Sequence, residues 1–128
     1  MKRTILFRGK VLFDGSWAYG SLRIRSGVRH GIIETLHGQG WDVDKKTIGQ
    51  WSGLRDVNAK KIFEGDIFVT RVSPKRIVVR WQFDKGIRIG FNISAGRNFH
   101  RKEVIGNIHD NPELLKVKGN KYANTKKT

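Results

Sequence analysis

A chain of 128 residues suits one domain, or two small β units sharing a core. Its 26 Lys and Arg against 11 Asp and Glu give a net charge of +15, a surface that repels itself and attracts polyanions. The absence of cysteine excludes disulfides and thiolate metal sites, and no apolar run approaches the roughly 20 residues that cross a bilayer. The basic start Met1-Lys2-Arg3 leads into an alternating segment with Arg8 and Lys10, which does not read as a signal peptide. A cytoplasmic location fits these features. The charge is uneven. Residues 1–62 carry 12 basic and 5 acidic side chains, residues 63–115 carry 9 and 6, and residues 116–128 carry five lysines and no acid.

In chain order, Ile5–Phe13 and Ser16–Arg25 read as a hairpin across Asp14-Gly15, a strong two-residue turn signal. That turn would set Leu12 opposite Trp17, Lys10 opposite Tyr19, and Arg8 opposite Ser21. Side chains alternate with a period of two, so one face carries Arg8, Lys10, Trp17, Tyr19 and Arg23. The other is apolar, and its Gly9 and Gly20 allow close approach by another backbone or ring. Ser26–Trp41 is less regular, broken by four glycines, with a short strand over Ile32–Leu36. Thr47–Asp66 then reads as a strand, a turn at Asp56-Val57-Asn58-Ala59, and a sharp break at Glu64-Gly65-Asp66.

Beyond the break, Ile67–Val72, Arg76–Phe83 and Ile87–Ile93 read as three antiparallel strands, and Glu103–Ile108 as a last one. Ile77, Val79, Trp81 and Phe83 share the apolar row; Arg76, Arg80 and Arg88 lie on the polar row. Many short strands at close spacing suggest a small barrel. Asn111-Pro112 is a helix-start pattern, predicting one helical turn. Lys116–Thr128 has too little apolar surface to order itself. The expected organisation is a β-hairpin lobe over 1–62, a β-barrel lobe over 63–115, and a basic tail over 116–128.

Three segments carry a resemblance. They are Phe7-Arg8-Gly9-Lys10 with Asp14-Gly15 to Leu22; Thr47-Ile48-Gly49-Gln50, Gly53-Leu54-Arg55-Asp56 and Ile62-Phe63-Glu64-Gly65-Asp66-Ile67; and Glu103-Val104-Ile105-Gly106-Asn107-Ile108-His109-Asp110-Asn111-Pro112. Together they resemble the YopX family, small proteins encoded by phages and prophages, over residues 5–115. Asn58-Ala59 stands where that family has Asn-Gly. The resemblance implies an all-β fold with an SH3-like barrel in the C-terminal lobe. It implies no established activity.

Function must therefore be read from residues. Single-stranded nucleic acid is held by cations along its backbone and by rings that stack on bases. Arg8, Lys10, Arg23, Trp17 and Tyr19 have that composition on one face, and Arg76, Arg80 and Arg88 could track phosphates on the barrel. The competing readings are packing of the two rings under the second lobe and an ordinary solvated strand face. The nucleic-acid reading requires the cationic heads to point outward together, unmatched by carboxylates. The alternative is a protein-interaction module that regulates a host or phage protein; self-association through sheet edges is a further option. Glu64, Asp66 and Asp110 read as structural carboxylates. The four histidines lack metal-ligand spacing, and no phosphate loop or nucleophile motif is present. The expectation is a non-enzymatic protein with no cofactor and no metal.

Overall fold

The computed structural model describes residues 4–24, 27, 30–84, 88–93 and 101–116; for 73, 82–84, 88 and 89 it describes the backbone alone. The basic tail, apart from the exposed Lys116, lies outside the described residues.

The fold is all-β. Six strands form the first sheet: β1 (Phe7–Lys10), β2 (Trp17–Arg23), β3 (Gly31–Glu34), β4 (Gly40–Val43), β5 (Gly49–Arg55) and β6 (Lys61–Phe63). Their order is β4-β3-β2-β1-β5-β6, with every pairing antiparallel. Past the end of β1 the chain turns toward β4. Val11 bridges Val43, and the Leu12 N–H donates to Asp42 O at 2.9 Å. This curl encloses a core of Val11, Ala18, Ile33 and Val43, with Phe7, Leu22 and Ile48 packed on it. Glycine is needed inside the curl. A Cβ on Gly20 would lie 2.0 Å from Glu34 O, and one on Gly9 would lie 2.9 Å from the Val43 side chain.

The Asp14-Gly15 turn is wider than two residues. Asp14 Oδ1 accepts from Ser16 N and Ser16 Oγ, while Val11 N donates to Ser16 O and Gly15 N to Val11 O. The observed register pairs Arg8 with Tyr19 and Lys10 with Trp17. It differs from the expected one by two positions, an even number, so each side chain keeps its face.

The second half contributes β7 (Asp66–Thr70), β8 (Ser73–Val78), β9 (Trp81–Asp84), β10 (Arg88–Phe91) and β11 (Lys102–Asn107). They form a three-stranded sheet, β11-β7-β8, and a two-stranded ribbon, β9-β10. Neither closes on itself, so the SH3-like barrel expected over 63–115 is not confirmed. The reason lies at Val79–Arg80, where the expected strand Arg76–Phe83 divides. Asn92 donates to Val78 O and accepts from Arg80 N through its side chain, and its own N–H donates to Arg80 O. Val78 and Val79 are both buried, which breaks the expected alternation, and Trp81 is 52% exposed. Its ring stands edge-on to Phe91 at 4.9 Å.

The division at residue 62 falls inside β6. The second core, Ile62, Phe68 and Val79, also takes in Leu54 from β5, so strands of the first sheet help to build it. The expected helical turn is a 3-10 turn at Pro112–Leu115. Asn111 precedes it but does not cap it; its Oδ1 accepts from Asn107 N instead.

Candidate functional site

The face of the first hairpin that carries Arg8, Lys10, Trp17 and Tyr19 is met by the Phe63–Asp66 turn and by His109-Asp110. Arg8 is 4% exposed. Its Nη2 lies 2.8 Å from Asp66 Oδ1, and its guanidinium carbon is 4.4 Å from the Trp17 ring centre and 4.8 Å from that of Phe63. Asp66 also accepts from Phe63 N at 2.7 Å. Burial pushes the Asp66 carboxyl above its ordinary value, while Arg8 and the Phe63 N–H pull it back. Gly65, at φ +92°, makes the tight turn that aims Asp66 inward.

Lys10 pairs with Asp110, and the Trp17 indole N–H donates to the same carboxylate at 2.9 Å. Asn107 Nδ2 adds a third donor at 3.1 Å. The Lys10 hydrogen bond, joined by those of Trp17 and Asn107, outweighs desolvation and holds the Asp110 pKa at about 2. His109 lies against Trp17, ring centres 6.0 Å apart. Burial and the Arg8 charge depress the imidazole pKa, with Asp110 opposing and Lys10 adding to the effect.

This constellation joins two lobes. The expectation that Arg8, Lys10 and Arg23 point outward unmatched fails, because each meets a carboxylate. Arg23 bonds Glu34 at 3.0 Å, farther along β2 and apart from the Arg8–Asp66 knot. Trp17 is half-buried, and Tyr19 is 46% exposed with its ring tilted on Phe63 at 5.5 Å. On the second half, Arg76 donates to Leu114 O at 2.6 Å. Arg80 is exposed, and the side chain of Arg88 lies outside the described residues. Asp66 and Asp110 have the structural roles their positions suggested. Among the described residues no group of three or more His, Asp or Glu is placed to hold a metal ion.

A second cationic cluster went unmarked in the sequence. At the end of the β5–β6 hairpin Arg55 faces Lys61 directly, and Trp51 faces Phe63. The Arg55 guanidinium is 5.7 Å and the Lys61 ammonium 5.2 Å from the Trp51 ring centre. The indole N–H is fixed to Leu54 O at 2.8 Å. Between Trp51 and Arg55 the register shifts at a bulge containing Gly53, φ +91°. Asp56 shapes the turn by accepting from Asn58 N, Lys60 N and Val104 N. Burial raises its pKa, but those three N–H donors and the Lys60 charge outweigh that effect, and the carboxyl sits below its ordinary value. The available signal was a pair of cations flanking a recognisable turn; their convergence on Trp51 depends on the bulge.

An all-β protein whose two sheets share a core and are joined by a buried Arg–Asp pair is the class these features define. The YopX protein family profile matches residues 7–116, and the chain belongs to that family. Among solved structures, protein EF1440 from Enterococcus faecalis is similar, with 24% identity over 90% of this chain and 100% of that one, at a TM-score of 0.48. No curated protein matches. Among the described residues no helix is long and apolar enough to cross a membrane.

Proposed function

We propose that this YopX-family chain is a non-enzymatic, cytoplasmic nucleic-acid-binding protein of phage or prophage origin. Its contacts are with phosphates, and they lie away from the first hairpin face. One observation carries the reading: four carboxylates, Asp56, Asp66, Asp110 and Glu34, are taken up inward or in pairs, and exposed cations remain without a carboxylate partner. Asp56 is engaged by backbone N–H groups, while Asp66, Asp110 and Glu34 bind Arg8, Lys10 and Arg23. Among the described residues, exposed Lys45, Lys46, Arg55, Lys60, Arg71, Arg80 and Arg101 have no carboxylate at ion-pairing distance. Such a surface attracts a phosphate backbone and releases its counterions.

The test is a fluorescence-anisotropy titration with labelled 12-residue single strands and 12-base-pair duplexes of DNA and RNA, at 50 and 200 mM salt. The reading expects binding at 50 mM that weakens at least tenfold at 200 mM. No binding to any of the four at 50 mM overturns it.

A second reading, an interaction module for a host or phage protein, draws on Phe13 at 91% and Leu36 at 98% exposure, large apolar side chains at two loop tips. It expects a partner that stays bound after nuclease treatment and is lost when both residues become Ser.

A further inference from the structure

We infer that the end of the β5–β6 hairpin is a subsite for single-stranded nucleic acid. In it Arg55 and Lys61 hold consecutive phosphates and the Trp51 ring receives a base. This assignment deepens the nucleic-acid reading and rests on it.

The first observation is a like-charge pair. Arg55 and Lys61 are direct partners across an antiparallel ladder. Like charges in that position repel and destabilise the pair. Elsewhere in the first sheet the chain matches such cations with acids, as Arg23 with Glu34 and Lys10 with Asp110. Here, among the described residues, neither cation has a carboxylate at ion-pairing distance. Their partners are the face of Trp51 and, for Arg55, the Ala59 carbonyl at 2.9 Å. A bound phosphate would supply the missing negative charge.

The second observation is a preset ring. The Trp51 indole is half-buried and anchored through its N–H to Leu54 O, so its orientation is fixed before any ligand arrives. Rings held this way beside cations are the means by which single strands are bound, one base stacked per ring and the backbone tracked by positive charge. A duplex keeps its bases stacked on one another and offers the ring nothing.

The third is open space. The bulge places Gly53 between Trp51 and Arg55 with φ +91°, and an added Cβ there would meet no atom within 4 Å. Bulges re-aim side chains at the rims of sheets. This one sets the Arg55 guanidinium 5.7 Å from the Trp51 ring centre, with open space beside Gly53 itself. Asp56, the carboxylate nearest in sequence, is 7% exposed and tied to three backbone N–H groups, so it does not compete for the cations.

The experiment compares the full chain with R55Q/K61Q, with the charge-matched control K45Q/K46Q, and with W51L. The ligands are a labelled 12-residue oligothymidylate, an abasic strand of the same length, and a 12-base-pair duplex. Thermal melting establishes that each variant is folded. R55Q/K61Q is expected to weaken oligothymidylate binding at least tenfold at 50 mM salt. It should also reduce the slope of log affinity on log salt by about 1.4, two phosphates at roughly 0.7 each. K45Q/K46Q, which removes two cations of the general surface, is expected to weaken binding as well, but at least about threefold less than R55Q/K61Q. W51L should weaken the oligothymidylate about tenfold and leave the abasic strand unchanged. If W51L does not fold, the R55Q/K61Q comparison decides alone. Equal losses in the two charge-removing variants overturn the subsite and leave general binding intact. Failure of the unmodified chain to bind any nucleic acid overturns the underlying reading instead.

Discussion

At Arg8 a guanidinium lies beneath two rings with one carboxylate for a partner, and its Nε is buried with no hydrogen-bond partner among the described residues. Removing that carboxylate strands the charge. Asp66→Asn is expected to cost about 3–5 kcal/mol, read as a shift in the urea midpoint. The double replacement Arg8→Met with Asp66→Leu is expected to cost less than Asp66→Asn alone, because no charge is then left buried. A double variant less stable than that single would show that the pair adds net stability. The sequence made the composition of this face legible: Arg8, Lys10, Trp17 and Tyr19 do share a side of one hairpin. What covers them was not legible. Asp66 and Asp110 stand 58 and 100 positions further along, and face composition looks the same whether a face is open or closed.

At the scale of elements, the Asp56–Lys60 turn holds the most specific local chemistry. Asp56 and Asn58 marked it in the sequence, and Asp56 Oδ1 does accept from Asn58 N and Lys60 N. Ala59 adopts φ 65°, a left-handed conformation costly for any residue with a Cβ. Ala59→Gly is therefore expected to raise stability by about 1 kcal/mol, seen as a higher denaturation midpoint. A lower midpoint would mean that Ala59 is not strained. Strand existence was readable elsewhere because turn residues and β-branched runs alternate. Register was less so: the Asp14-Gly15 turn widens through Ser16 hydrogen bonds that a two-residue template does not contain. The break between β8 and β9 was unreadable locally, since Asn92 imposes it from twelve residues away.

For the whole molecule, the contacts around Trp17 couple folding to pH. His109 has a depressed pKa, so its contribution is complete above the ordinary imidazole value of 6.5 and declines as pH falls below it. Asp110 also has a depressed pKa. Its contribution is complete above 3.8 and is lost as pH falls toward about 2. Both signs make acid destabilising, in two separate windows. His109→Gln is expected to flatten the decline between pH 7 and 5, and Asp110→Asn the decline below pH 4, each followed by urea denaturation across pH. An unchanged profile in either variant would remove that residue from the coupling.

The link from Lys10 and Trp17 to Asp110 also bears on how the chain is born. The ribosome releases the N-terminal strands first, at about 5–20 residues per second, so the carboxylate that receives them follows roughly 5–20 seconds later. Through that interval Trp17 and Lys10 await a segment not yet made. A truncated nascent product would therefore leave that indole and that ammonium bare, a ready foothold for a chaperone or a protease.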